Sequence, residues 1–187
     1  MPQPTASRIA VGLAALLLAA SGLASCDGDK PAKPAVVPAT TAARPPRPVT
    51  LDDAKRCPVT LPCRVGPPGV SPDDFFGWGS SHGNGKLWVG GLWPRGVTHA
   101  GPELVAQDGS VGMKFGWWRV ATGGLRLTGR RLDAPAPPAR AHVSDGYGDG
   151  GFQASGVDFP TEGCWEVIGA LPTTSLRFVS FVSKPGA

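Results

Sequence analysis

Apolar positions along this chain fall into three regimes. From Ile9 to Leu23 they run almost unbroken as IAVGLAALLLAASGL, without a single charge. From Asp27 to Pro48 no period survives. Beyond residue 85, short runs rich in β-branched and aromatic residues recur between clusters of Gly, Pro and Asp, which is the signature of strands and turns. These runs predict strands at Lys86–Trp93, Val111–Phe115, Trp117–Val120, Leu125–Leu132, Arg140–Val143, Phe152–Phe159, Cys164–Leu171 and Leu176–Val182. Leu125 and Leu127 alternate with Arg126 and Thr128, as on a strand with one wet face. Trp165 and Val167 should face one way, and Cys164, Glu166 and Ile168 the other. The final run, LRFVSFV, is apolar on both faces and should be central. Gly123-Gly124 and Pro172–Thr174 read as turns between strands. No helical period longer than about two turns appears. Residues 50–187 therefore read as an all-β domain: an antiparallel β-sandwich, Ig-like, with a small β-barrel as the alternative.

The first apolar regime is an address. Arg8 supplies one positive charge ahead of it, and at ~1.5 Å per residue the segment is short for a ~30 Å hydrocarbon core. A charged start, a short apolar centre and small residues at its end mark a secretory leader, residues 1–25. It ends in Leu23-Ala24-Ser25-Cys26, which resembles the lipobox of bacterial lipoproteins. That resemblance implies diacylglyceryl transfer to Cys26 and cleavage before it. Two acyl chains anchor stably where one, at ~0.8 kcal/mol per buried CH₂, binds only marginally. The implied place is the extracytoplasmic face of the cell membrane, with the membrane itself as a partner.

Residues 26–49 then read as a flexible linker. Between Asp27 and Pro48 there are six prolines, five alanines and no aromatic residue. Such a composition buries too little apolar surface to offset the entropy of ordering. Extended as polyproline II, it would reach roughly 70 Å at ~3.1 Å per residue. All six Trp and seven Phe of the chain come after residue 74, which assigns folding to the remainder. The formal charge of +4 is spread out, which speaks for solubility and against nucleic acid as a partner.

Once Cys26 is set aside, Cys57, Cys63 and Cys164 remain, which predicts one disulfide and one leftover thiol in an oxidising compartment. Cys57–Cys63 would close a tight local loop. Cys57–Cys164 would pin the entry segment to a late strand, and loop entropy favours that longer closure. No C-x₂-C spacing accompanies these thiols, and His82, His99 and His142 share no ligand spacing, so no metal or other cofactor is expected from them.

Three motifs match on paper. Gly79 to Gly83 fits G-x-S-x-G around Ser81, with Asp133 and His142 in triad order, but the helices of a hydrolase elbow are missing. Gly146 to Gly151 contains G-x-G-x-x-G without the helix that a dinucleotide needs. Asp145 and Asp149 resemble part of a calcium loop but lack an acid at Tyr147 and at Gly156; an Asp-Gly turn explains them equally.

The aromatic residues carry the strongest binding signal. Neighbours on a strand face opposite ways, so one of Trp117 and Trp118 should face away from the core. Exposed indoles stack on sugar rings while polar side chains fix the hydroxyls, and Asp108, Lys114 and Arg119 lie close by in sequence. Trp117, Trp118 and Arg119 are therefore the candidate ligand-binding residues, and Asp145 and Asp149 a weaker metal candidate.

Several blocks together, HGNGKLWV (82–89), MKF with WWR (113–119), GRRLDAP (129–135), GYGD with GFQ (146–153) and FPTEGCWE (159–166), resemble an uncharacterised group of bacterial, chiefly actinobacterial, surface lipoproteins. The resemblance spans about Cys57 to Val182, implies pairing of Cys57 with Cys164, and brings no activity with it. The expectation is a non-enzymatic surface binding or assembly module. Its partner would be an envelope protein or, as the sharper alternative, cell-wall polysaccharide. A small hydrolase ranks third.

Overall fold

The computed structural model describes residues 50–63, 65–70 and 81–184. The expected leader, the linker and Cys26 lie outside these residues. The first described element is α1 (Leu51–Arg56), a helix too short to persist alone. Thr50 caps it: its hydroxyl accepts from the Asp53 N–H, and the Asp53 carboxylate takes the Thr50 N–H at 2.8 Å. Asp52 and Asp53 sit in the first turn and Lys55 and Arg56 in the last, matching the helix dipole.

Nine strands complete the described chain in two packed sheets, a β-sandwich. The five-stranded sheet has the order β1 (His82–Gly83), β2 (Leu87–Gly90), β4 (Val111–Arg119), β7 (Gly151–Phe159), β6 (Arg140–Val143). The four-stranded sheet has the order β3 (Val97–His99), β9 (Thr174–Ser183), β8 (Gly163–Leu171), β5 (Arg126–Arg131). Both sheets keep two edges, so the barrel alternative is wrong. Every pairing is antiparallel except that of β3 with β9, a departure from the fully antiparallel expectation.

The two runs expected on either side of Gly116 are one strand. Gly116 stays in register with Gly90 on one side and Ala154 on the other, so two ladders hold it extended. The final run is central as expected: β9 lies between β3 and β8.

Inward positions interlock between the sheets. Leu87, Val89, Val111, Met113, Phe115, Trp117, Val157 and Phe159 meet Trp165, Val167, Leu171, Leu176, Phe178 and Val182. Phe115 and Trp117 both pack on Phe178, with centroids 5.1 and 6.2 Å apart. The Trp117 ring lies over Gly169, where a Cβ would come within 2.4 Å of it; a bare backbone is what admits so large a side chain.

A second cluster sits on the outer face of the four-stranded sheet. Cys57, Cys164, Val179 and Phe181 are buried there beneath Ala54 and Val59. Cys57 and Cys164 form a disulfide across 107 residues, the longer of the two pairings weighed. Cys63, expected as a leftover thiol, is not one: no cysteine among the described residues is free.

Candidate functional site

Strand alternation builds the outer face of the five-stranded sheet. The residues of β4 at 111, 113, 115 and 117 enter the core, so Gly112, Lys114, Gly116 and Trp118 point outward. Register then lines up cross-strand rows. The first reads Gly83, Trp88, Trp118, Phe152. The Trp88 indole lies flat on Gly83, where a Cβ would meet it at 2.1 Å. Burial relaxes along the row: Trp88 is 4 % exposed, Trp118 half-buried, and Phe152 37 % exposed. Tyr147 extends it, meeting Phe152 edge-on at 5.7 Å.

The next row is Gly90, Gly116, Ala154, and the one beyond it is Lys114, Gly156, His142. A last row holds Gly112, Asp158 and Arg140. At ~3.4 Å per residue, the six steps from Trp118 to Gly112 span roughly 20 Å. An aromatic end thus leads onto a floor of small residues, flanked by the exposed Lys114 and His142 and closed by charges.

The charged end is tied together. Asp108 accepts from the Ser110 hydroxyl at 2.6 Å, from the Ser110 N–H at 3.0 Å and from Arg140 at 2.9 Å. These donors, the Ser110 hydroxyl foremost, hold the Asp108 carboxyl far below the usual carboxylate range. A depressed carboxyl stabilises the fold at every pH above its unfolded pKa of about 3.9 and loses that contribution as pH falls further. The thermal midpoint of the parent should therefore fall more steeply below about pH 4 than that of Asp108→Asn. Parallel profiles would remove Asp108 from the account.

The sequence candidates divide. Trp118 lies on this face. Trp117 does not: it is fully buried, and its Nε1 donates to Ser155 Oγ at 3.0 Å, so it offers no ring to a ligand. Arg119 follows Trp117 inward and is 2 % exposed. Its Nη1 donates to the Gly123 carbonyl at 3.1 Å. Its Nη2 faces the carbonyls of Tyr147 at 3.1 Å, Gly148 at 2.8 Å and Gly150 at 3.3 Å. Arg119 is a positioning residue: it holds the β6–β7 loop so that Tyr147 reaches Phe152.

The same geometry bears on the metal candidate. Asp145 and Asp149 are exposed on this loop, but the carbonyls that would complete a cation site face the Arg119 guanidinium. No group of three His, Cys, Asp or Glu among the described residues is placed to hold a metal. Gly146 and Gly148 instead take the positive φ values, 86° and 63°, that an Asp-Gly turn requires. The loop leads into strand β7, where a dinucleotide motif would need a helix.

The triad fails on distance. Ser81 precedes edge strand β1, and His142 lies on β6 at the opposite edge, four strand spacings or roughly 19 Å away. Ser81 is itself buried, its hydroxyl facing the carbonyls of Val65 at 2.9 Å and Cys63 at 3.3 Å. Asp133 pairs with Arg131 at 2.7 Å.

The sequence reading missed Trp88, Tyr147 and Phe152 as partners of Trp118. The signal was there in period-two alternation, but it needs the cross-strand register to become a row. No family model, no curated protein and no solved structure matches this chain.

Proposed function

We propose that this protein is a non-enzymatic binding module of the cell envelope, exported, acylated at Cys26, and built to hold wall polysaccharide on the outer face of its five-stranded sheet. One observation carries the ligand class: the row Trp88, Trp118, Phe152, with Tyr147 beyond it, opens onto the Gly90, Gly116, Ala154 floor. The C–H face of a pyranose stacks on aromatic rings, and a floor without side chains lets a flat, extended polymer approach the sheet. Lys114, His142 and Arg140 stand where hydroxyl or acidic groups of such a polymer would pass. The buried, donating Ser81 and the separated Asp133 and His142 supply no hydrolytic constellation to set against this reading.

The lipobox-like Leu23-Ala24-Ser25-Cys26 supports the anchor, and the likeness to actinobacterial surface lipoproteins belongs to the same proposal. At the level of architecture, the likeness to an Ig-like sandwich extends to two packed layers, with the parallel β3–β9 pair as a departure. Acylation has its own direct test, the mass of the mature amino terminus. A Cys26 that carries diacylglycerol is also withdrawn from disulfide chemistry.

The ligand test uses residues 26–187 with Cys26→Ser, sedimented with purified wall polymer. Trp118→Ala should weaken retention roughly thirtyfold, the effect of losing about 2 kcal/mol at an aromatic hot spot. The variant should stay folded, and the polymer should keep its chain length. Equal retention of both forms, or none by either, would sink the polysaccharide reading and leave an envelope protein as the partner to seek.

A further inference from the structure

The opposite outer face, on the four-stranded sheet, is chemically unlike the first. Its covered part, beneath α1 and the Cys57–Cys164 disulfide, is apolar. Its remainder is basic. Outward residues of β5 are Arg126, Thr128 and Arg130, which oppose Ala170, Ile168 and Glu166 of β8. From the other side Arg177 of β9 opposes Ile168. The half-buried Ile168 thus has three arginines around it.

Glu166 is the one acid at an outward position of β5, β8 or β9. Its side chain is 4 % exposed and lies between two of these arginines, 2.6 Å from Arg130 Nε and 3.0 Å from Arg177 Nη1. The two arginine side chains remain 69 % and 45 % exposed. One buried carboxylate therefore orders two cations side by side without cancelling them. Arg126 is exposed and makes no ion pair among the described residues. Arg126 and Arg130 thus present exposed positive charge on this face, over the short side chains of Thr128 and Ala170.

The same face carries the start of the described chain. Thr50 caps α1, and α1 is fastened here through Ala54 and Cys57. A tether that reaches the domain from Cys26 arrives on this side. We propose that the arginine face of the four-stranded sheet docks on the anionic surface of the bilayer that holds the anchor, with Arg126 and Arg130 meeting lipid phosphates. This rests on the anchored reading above. It sets an orientation: with this face on the membrane, the row of aromatic residues on the opposite face points away from the bilayer, toward the wall. Each basic residue near an anionic surface contributes about 1 kcal/mol. That is too little to anchor a protein alone, and enough to orient one that is already tethered, because tethering makes the encounter intramolecular.

The test uses residues 26–187 with Cys26→Ser, so that its result is independent of acylation. Partition is measured at low ionic strength onto vesicles of equal phosphatidylglycerol and phosphatidylcholine, and onto pure phosphatidylcholine. Binding should appear with the anionic vesicles alone and weaken with added salt. Arg126→Gln should lower it about fivefold, and Arg126→Gln with Arg130→Gln about thirtyfold, the conversion of about 1 kcal/mol each. The single variant removes no contact within the fold, so a misfolded double variant cannot hide the answer. Equal partition onto neutral vesicles, no partition onto either, or a single variant that binds like the parent would overturn the proposal. So would displacement by inorganic phosphate beyond that by chloride at matched ionic strength, since it would mark a site for a single small anion.

Discussion

Replacing Cys57 and Cys164 together with alanine is expected to lower the folding free energy by about 5 kcal/mol. The bond closes a loop of 107 residues, and in the loop-entropy model a closure of that length removes about 4.8 kcal/mol of disorder from the unfolded chain. Cys164 is fixed within β8, whereas the entry segment is held by α1 and by the Thr60–Val179 hydrogen bonds at 2.9 Å. α1 has six residues and one capping box, far below the length at which a helix persists by itself. The cluster it covers has only four buried members, two of which are the cysteines. Since domains are stable by about 5–15 kcal/mol, the variant should sit near the edge of folding. Urea unfolding of parent and variant, both oxidised, measures the difference. A loss below about 1 kcal/mol would mean that Val59, Val179 and Phe181 secure the entry segment unaided, and that the entropy account does not apply here.

Trp117→Ala is expected to cost about 4 kcal/mol, within the usual range for truncating a buried indole. The ring fills the space above Gly169, touches Phe178 and donates to Ser155. Removing it opens a cavity that the sheets cannot close, because Gly169 is backbone in a paired strand. It also leaves the buried Ser155 hydroxyl without its donor, although that hydroxyl keeps the Phe115 carbonyl at 3.2 Å as an acceptor. The comparison with Trp118→Ala is the sharp one. Two adjacent residues of the same type should separate cleanly, one variant losing stability and the other losing ligand. Thermal unfolding and polymer retention, measured on both variants, give four numbers. If Trp118→Ala proved as destabilising as Trp117→Ala, Trp118 would belong to the packing of the sheet and the binding face would lose its centre.

Much of this fold was legible in the chain, and the failures have physical causes. Long strands declared themselves because alternation needs several residues to show. Gly151–Phe159 and Gly163–Leu171 have nine each. β1 has two residues and β3 three, too few for any period, and β3 exists only because the edge of β9 accepts it. The capping box at Thr50 is hard to see in the chain because its third residue is Asp53, not the longer acid that usually marks such a start. The opposite facing of Trp117 and Trp118 followed from period two alone. Arg119 did not. A cation reads as surface, and nothing local announces that the carbonyls of a loop about thirty residues further on will enclose it. Sequence gives the face of a residue more readily than the company it will keep.

The position of β9 has a consequence for when this molecule can become itself. The last strand among the described residues is not an edge but the middle of its sheet, with β3 zipped along one side and β8 along the other. Until residues 174–183 are available, β3 has no neighbour, Phe178 is missing from beneath Phe115 and Trp117, and β8 is paired on the β5 side alone. A chain still emerging from a ribosome, or still threading a narrow pore, therefore holds at most half a sandwich. It stays open until residues 174–183 have arrived and closes only then. Non-local closure of this kind is slow, and for the exported protein proposed above the delay would favour a crossing completed before the sandwich closes.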